Sequence, residues 1–330
     1  MALLRSFLTA LLCLFGSHTV TATSIQRRQD SSATHNNYAC RSPFHPNPVI
    51  VLHGILANAY TGINALYDFL GTQGFCTFSA TYGAFLPGVL PIDFGGVTSI
   101  SQSSAEVAAF ILKVLASTGA SQVDIVGHSE GAFMALYVPK FYPYLQPYIR
   151  SIVAVGPPTH GTTISGIYEA AYIFGETSRR LIGDFFEAVG CGACDDLGPE
   201  GPAVIALNTG PIAQPEIRYT IIASQFDEII TPTTTAFVFE PGVINLYIQQ
   251  YCPADASGHA REPYSPNIQA VVMNALNGFP AGPAVCSAGP DLITAITGVL
   301  AFSGGSDLNL FQELEQKFSD IVGGVGFIKK

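Results

Sequence analysis

Short apolar runs alternate with amphipathic segments along the middle of the chain. Six of these runs are rich in β-branched and aromatic residues, and they cover positions 48–54, 75–80, 123–127, 151–156, 219–224 and 243–248. Near-continuous apolar strands are typical of parallel sheets that are covered on both faces. The alternation of such strands with helices therefore predicts a doubly wound, mostly parallel α/β sheet.

Helical spacing of apolar residues separates the strands. Helices are expected at 63–70, from 103 to 119, from 130 onwards and at 267–276. We expect Gly71 to stop the first of them. Ser103 and Glu106 have the spacing of a capping box and predict the start of the second helix, and Gly119 predicts its end.

A Gly-His-Ser-Glu-Gly frame is centred on Ser129, between a strand and a helix. In this context the frame predicts a nucleophile elbow, a sharp turn that presents a serine hydroxyl at the end of a parallel sheet. The backbone N–H of Glu130 opens the helix and faces any oxyanion formed at the serine. A second donor is expected in the turn after the first core strand, at Gly54 or Ile55.

A nucleophilic serine needs a histidine base, and the histidine needs a carboxylate partner. In proteins with this elbow the chain order is serine, acid, histidine. His259, in a loop after the last strand, fits that order, whereas His53 and His128 are interpreted as turn or wall residues beside glycines. Asp227, just past the end of a strand, is the favoured acid. Three other carboxylates were weighed against it: Glu228, Asp255 and Asp124.

Composition narrows the class of protein. With 48% hydrophobic and 12% charged residues, the chain can bury a sizeable core. The net charge of −10 and the lack of a basic cluster argue against nucleic acid as a partner. Arg5, the short apolar run at 7–15 and the dibasic pair Arg27-Arg28 predict a signal peptide and pro-segment over 1–28, and hence secretion.

Six cysteines remain after residue 28, and an even number favours disulfides in an oxidising compartment. Six cysteines allow 15 connectivities. Sequence order suggests the pairs Cys40–Cys76, Cys191–Cys194 and Cys252–Cys286. Half of a zinc site, or a redox pair, is the alternative for Cys191 and Cys194.

Residues 157–215 interrupt the alternation of strands and helices within an expected hydrolase domain of 29–286. Leu181, Phe185 and Phe186 share one face of a helix there. They form either an ordinary core helix or a substrate-binding cap, because ligands bind at the carboxyl ends of parallel strands. The remaining residues, 287–330, are expected to form a C-terminal extension.

With these residues placed, the sequence resembles the secreted triacylglycerol lipases called lipase class 2, which have the α/β-hydrolase fold. The matching segments are 48–54, 123–129, 158–163, 219–224, 227–232 and 252–253. The resemblance implies a triad of Ser129, Asp227 and His259, and an oxyanion hole formed by the amides of Ile55 and Glu130. It also implies disulfides flanking the first core strand and the histidine loop.

One departure concerns Glu130, because the family usually has glutamine at that position. Its charge would be favoured by the helix dipole and would disfavour anionic substrates. The expected function is a secreted serine ester hydrolase that acts on lipid or other apolar esters, with a lipid–water interface as a candidate site of action and no cofactor or metal. The alternatives are a carboxylesterase or cutinase-like polyester hydrolase, and a non-catalytic binding protein on the same fold.

Overall fold

The computed structural model describes residues 35–84, 94–163 and 191–287, which all belong to one compact unit, Gln29–Ala295. Within them, six parallel strands form one sheet in the order β2-β1-β3-β4-β5-β6. The strands are β1 (Val49–Leu52), β2 (Thr77–Phe78), β3 (Val123–His128), β4 (Ile149–Val155), β5 (Arg218–Ala223) and β6 (Val243–Tyr247). The predicted parallel sheet is confirmed.

Helices cover both faces of the sheet. They are α1 (Asn64–Thr72), α2 (Ile100–Thr118), α3 (Glu130–Phe141), α4 (Gly192–Asp196), α5 (Pro202–Asn208) and α6 (Pro266–Leu276). Helices α2 and α3 pack in one buried cluster, and α1 and α6 pack in another. Ile50 and Leu52 of β1 belong to the first cluster, whereas Val49 and Val51 belong to the second. Alternate side chains of one strand thus serve two cores, which is why the strands are apolar without interruption.

Two helix boundaries differ from the prediction. Helix α2 begins at Ile100, because the Ser99 hydroxyl caps the helix by accepting a hydrogen bond from the Gln102 amide. The expected capping residue Ser103 is inside the helix, and Glu106 accepts a hydrogen bond from the distant Gly83 amide. Tertiary contacts therefore override the capping-box spacing.

The end of α1 also differs from the prediction. The helix passes through Gly71 and ends at Thr72, and the left-handed conformation follows at Gly74, where φ is 86°. Gly119 ends α2 as expected, with φ of 70°. The strand expected at 75–80 is reduced to the two residues of β2 at the edge of the sheet.

Three disulfides are present within the described residues: Cys40–Cys76, Cys191–Cys194 and Cys252–Cys286. The pairing expected from sequence order is confirmed, and the bond between Cys191 and Cys194 removes the zinc interpretation. No helix in the described part of the chain is long and apolar enough to cross a membrane.

Several predicted segments lie outside the described residues. These are the signal segment 1–28, the extension from 288 onwards, and Leu181, Phe185 and Phe186. Of the insertion 157–215, the structure describes 157–163 and 191–215, where α4 and α5 lie. The domain boundaries and the cap therefore stay predictions.

Candidate active site

Ser129 occupies the sharp turn between β3 and α3. Its backbone has φ of 58° and ψ of −126°, a conformation that non-glycine residues rarely adopt. The two flanking glycines are sterically required: a Cβ atom at Gly127 would lie 2.1 Å from the Gly131 carbonyl oxygen, and one at Gly131 would lie 2.3 Å from that of Leu52. The expected elbow geometry is present.

The side chain of Ser129 lies beside the turn that follows β1. A Cβ atom at Gly54 would be 3.0 Å from Ser129 Cβ and 3.5 Å from its Oγ. The Ser129 amide donates a hydrogen bond to the Val155 carbonyl at the end of β4. Ser129 therefore lies where the carboxyl ends of three neighbouring strands, β1, β3 and β4, meet.

Asp227 and His259 come from loops after β5 and β6 and contact each other directly. His259 Nδ1–H donates to Asp227 Oδ2 at 2.8 Å, and Asp227 Oδ1 accepts from the amides of Ile229 and Ile230, each at 2.8 Å. Burial alone would raise the pKa of Asp227, but the charge and hydrogen bond of His259 and these two amides outweigh it and lower that pKa. Asp227 is therefore an ionised partner that fixes the tautomer of His259.

The other nitrogen of His259 is free. Nε2 is buried and has no hydrogen-bond partner among the described residues. A Cβ atom at Gly156 would lie 3.2 Å from His259 Cε1, and Gly156 directly follows the Val155 carbonyl that binds the Ser129 amide. The imidazole and the elbow thus occupy the same strand end, and Nε2 is the ring nitrogen that Asp227 leaves open to other partners.

The three alternative acids have other partners. Glu228 Oε2 accepts from the backbone amide of His259 at 3.0 Å, so it holds the main chain of the histidine and Asp227 holds its ring. Asp255 accepts from Ser265 Oγ at 2.6 Å and from Asn267 Nδ2 at 2.7 Å.

Asp124, the third alternative, is paired at the opposite end of its strand. It accepts hydrogen bonds from the Arg150 guanidinium and from Ser151 Oγ, the latter at 2.5 Å. Its role in the sheet is structural.

Sequence reasoning missed two buried groups next to His259. His128 Nε2–H donates to the His259 carbonyl oxygen at 3.0 Å, and the two rings are 4.6 Å apart. Glu262 is fully buried, with Oε2 at 3.4 Å from His128 Nε2 and 3.8 Å from His259 Nδ1. A signal for Glu262 existed in the sequence, because it lies one helical turn after His259.

Burial and the nearby charges of Asp227 and Glu228 raise the pKa of Glu262 well above its usual value. Burial and the nearby His259 lower the pKa of His128 to about 3. His128 is therefore neutral at neutral pH, and burial disfavours the charged form of Glu262. One atom from each of His128, His259 and Glu262 lies within 4.8 Å of the others, but a metal ion would have to displace the proton that His128 donates to His259.

The predicted oxyanion donors flank Ser129. Ile55 follows Gly54, and Glu130 follows Ser129, and neither amide donates a hydrogen bond within the described residues. The Glu130 side chain is fully buried with both oxygens unpaired, and a Cβ atom at Gly96 would lie 2.1 Å from its Oε2. Its carboxyl group therefore packs under the turn and does not face solvent.

Burial, together with the charge of Asp196, raises the pKa of Glu130 well above its usual value. Burial thus disfavours the charge that would interact with the helix dipole or repel an anionic substrate. The effect of a Glu130 charge on anionic substrates stays a prediction, and its burial was not foreseen because a single sequence does not reveal which way the side chain turns.

Comparison with known proteins agrees with the fold. Residues 47–192 match the family described as "alpha/beta hydrolase fold". Over 174 residues, the chain is 25% identical to a triacylglycerol lipase of Pseudarthrobacter phenanthrenivorans (51% of this chain, 51% of the relative) and to one of Burkholderia plantarii (51% and 45%). The chain spans about half the length of the curated relatives it matches.

Among solved structures, Aspergillus fumigatus lipase B is similar with a TM-score of 0.58 and 19% identity, over 89% of this chain and 75% of that one. At that identity the likeness concerns the fold alone. Together with the parallel sheet and the strained elbow, these similarities identify the chain as a protein of the α/β-hydrolase fold that is similar to triacylglycerol lipases.

Proposed function

We propose that this chain is a serine ester hydrolase that acts on triacylglycerols or related acyl esters with a large apolar part. The observation that carries the proposal is the position of His259 beside the elbow: Nδ1 is bound to the ionised Asp227, and Nε2 is buried with no hydrogen-bond partner among the described residues. A histidine in this state can accept a proton from a serine hydroxyl.

In the proposed reaction, Ser129 Oγ attacks the ester carbonyl carbon and His259 Nε2 takes the serine proton. Asp227 stabilises the imidazolium, which then protonates the departing alcohol. Water attacks the acyl-serine with His259 as the base, and the acid is released. The amides of Ile55 and Glu130 bind the oxyanion that forms at both stages, and each such donor contributes ~10²–10³ in turnover.

Exposed apolar side chains support an apolar substrate. Leu56, next to Ile55, is 43% exposed, and Phe226, next to Asp227, is 52% exposed. Both lie within one residue of a proposed active-site group. Leu181, Phe185 and Phe186 are proposed to line the acyl-binding wall. The three disulfides are typical of an oxidising compartment, which supports secretion, and a substrate at a lipid–water interface fits these features.

The decisive variant is Ser129→Ala, with Ser101→Ala on the exposed surface of α2 as its control. We expect Ser129→Ala to lower kcat on p-nitrophenyl esters by about 10⁶ without a change in melting temperature, and Ser101→Ala to match the wild type. A fluorophosphonate probe should label the wild type at Ser129. Wild-type turnover by Ser129→Ala would refute Ser129 as the nucleophile, whereas a wild type that neither cleaves these esters nor is labelled would favour a non-catalytic protein.

A series of esters of increasing chain length separates the candidate substrates. A lipase gains activity on long, emulsified triacylglycerols, whereas a carboxylesterase is most active on short, soluble esters. A cutinase-like enzyme releases soluble acids from a solid polyester. All three kinds of enzyme would use the same triad. This experiment therefore tests the substrate class and does not test the mechanism.

A further inference from the structure

The imidazole of His53 contacts the turn that carries one of the proposed oxyanion donors. Its Nδ1 lies 2.8 Å from the Gly54 carbonyl oxygen, and its Nε2 lies 3.3 Å from the Tyr82 amide nitrogen. A carbonyl oxygen only accepts and an amide N–H only donates, so these partners assign the tautomer. Nδ1 carries the proton and donates to Gly54, and Nε2 accepts from Tyr82.

The ring is held firmly in this orientation. It stacks on Tyr82 with centroids 4.2 Å apart, and the Tyr82 hydroxyl donates to the His53 carbonyl at 2.5 Å. A Cβ atom at Gly95 would lie 2.7 Å from His53 Cε1, so the ring fills the space that this glycine leaves. Burial lowers the pKa of His53 to about 4, and the ring keeps its single donor at neutral pH.

The Gly54 carbonyl and the Ile55 N–H belong to one planar trans peptide, in which they point in opposite directions. A hydrogen bond that fixes the carbonyl therefore also fixes the amide. The turn needs such support: Gly54 has wide backbone freedom, and Leu56 has the strained φ of 58°. The Ala57 amide adds only a longer bond, 3.3 Å, to the same carbonyl.

We propose that His53 is a positioning residue that orients the Ile55 amide toward the oxyanion at Ser129. This inference rests on the proposed ester-hydrolase function. The oxyanion exists only in the transition state and the tetrahedral intermediate, so loss of the orienting bond lowers kcat and leaves KM nearly unchanged. Complete loss of one donor costs ~10²–10³, and a misoriented amide should cost ~10–10².

Three substitutions separate the two contacts of the ring. His53→Gln places an acceptor near the Nε2 position and removes the donor to Gly54, whereas His53→Asn retains a donor near the Nδ1 position and loses the acceptor. His53→Phe removes both contacts and keeps the stacking on Tyr82. We expect kcat to fall ~10–10² in His53→Gln and His53→Phe with KM within about twofold. The kcat of His53→Asn should be at least about fivefold higher than that of His53→Gln.

A second measurement is specific to the oxyanion. A trifluoromethyl ketone adds to the catalytic serine and forms a stable tetrahedral oxyanion, so its affinity should fall in parallel with kcat across the three variants. A purely structural role for His53 would lower the melting temperature without this correlation. The control is His45→Phe, in which a half-buried histidine stacked on Phe75 at 3.6 Å is replaced far from the elbow; its kcat should equal that of the wild type.

The outcomes separate this inference from the proposed function. Equal kcat in His53→Asn and His53→Gln, or a change confined to KM, would overturn the positioning role. If His53→Phe does not fold, the Asn and Gln variants decide, since each keeps one backbone contact. Full activity of Ser129→Ala refutes the hydrolase mechanism itself. An inactive Ser129→Ala together with fully active His53 variants refutes only the role of His53.

Discussion

Ser129 is held by its neighbours along the chain, whereas His259 is held by residues far from it in sequence. The serine lies in a turn whose shape depends on Gly127 and Gly131, two positions away on either side. The histidine is bound by Asp227 and Glu228, 32 and 31 residues away, and by His128, which is 131 residues away. The proposed nucleophile half of the site thus takes its strained turn from glycines close in sequence, with the Val155 carbonyl as a distant partner of Ser129, and the proposed acid–base half is built by tertiary contacts.

This difference determines what damages each half. The nucleophile half is disrupted by a side chain added at either glycine, because backbone atoms of β1 and α3 leave no space for a Cβ atom there. The acid–base half is disrupted by removal of a distant partner, because each partner orients either the imidazole ring or the main chain of His259.

The largest effect beyond Ser129 itself is expected at Asp227. Asp227→Asn removes the carboxylate that fixes the proton on His259 Nδ1, and a neutral amide neither fixes the tautomer nor stabilises the imidazolium. We expect kcat to fall about 10⁴-fold with little change in KM. The control is Glu228→Gln, which alters the contact with the His259 main chain and should cost less than about tenfold. Equal losses in the two variants would mean that the acid has been misassigned.

Gly131→Ala tests the local half. The added Cβ atom would lie 2.3 Å from the Leu52 carbonyl oxygen and 2.5 Å from that of His53, and these backbone atoms belong to the sheet and its turn. We expect a loss of about 3 kcal/mol or more in the free energy of unfolding, measured with urea. Gly74→Ala is the matched control, because Gly74 has a positive φ but open space around it; it should lose only about 1 kcal/mol.

His128 connects the two halves of the site. It directly precedes Ser129 in the chain, and its side chain donates a hydrogen bond to the His259 carbonyl. His128→Phe leaves that buried carbonyl without its donor, and we expect a loss of ~1–3 kcal/mol in the free energy of unfolding. His128→Gln can still present an N–H near the Nε2 position and should lose clearly less. If both variants unfold at the same urea concentration, the hydrogen bond does not hold the halves together.

The smallest effect concerns Glu130 and depends on pH. Burial raises the pKa of Glu130 in the folded state, so the folded protein resists ionisation of this carboxyl group whereas the unfolded chain ionises freely. The wild type therefore loses stability as pH rises above the pKa of Glu130 in the unfolded chain. Glu130→Gln lacks this penalty. The melting temperature of the variant relative to the wild type should therefore increase by a few degrees between about pH 5 and pH 8.

The control for this titration is Glu216→Gln, in which an exposed side chain is replaced. Its melting temperature should follow the wild-type curve over the whole pH range. Parallel curves for Glu130→Gln and the wild type would show that the buried carboxyl group does not resist ionisation.

The sequence allowed the sheet, most helices, the elbow and the cysteine pairs to be predicted, because each depends on short-range patterns or simple order. Ser129 was found from a frame of five residues. Asp227 and His259 were found by chain order, since the carboxyl ends of parallel strands meet at one edge. The choice between Asp227 and Glu228 was harder, and the structure shows both carboxylates in use, one on the ring and one on the main chain of His259.

The roles of His53, His128, Glu130 and Glu262 were not predictable in the same way. Each is buried, and its protonation state depends on neighbours brought together from other strands and loops. His53 and His128 were interpreted as turn or wall residues, and Glu130 as a charged helix start, because a sequence shows a residue type and not the partners of its polar atoms.

From the sequence alone one can predict the order of the parallel strands along the chain, the strained position of Ser129 and the end of the sheet that holds the candidate site. These follow from apolar patterning and from glycines whose absence would cause backbone clashes. The folded structure is needed to tell which nitrogen of a buried histidine donates a hydrogen bond and which carboxyl groups resist ionisation. The physical reason is that protonation in a buried site is set by desolvation and by hydrogen-bond partners a few ångströms away, and these partners are separated by up to 131 residues along the chain.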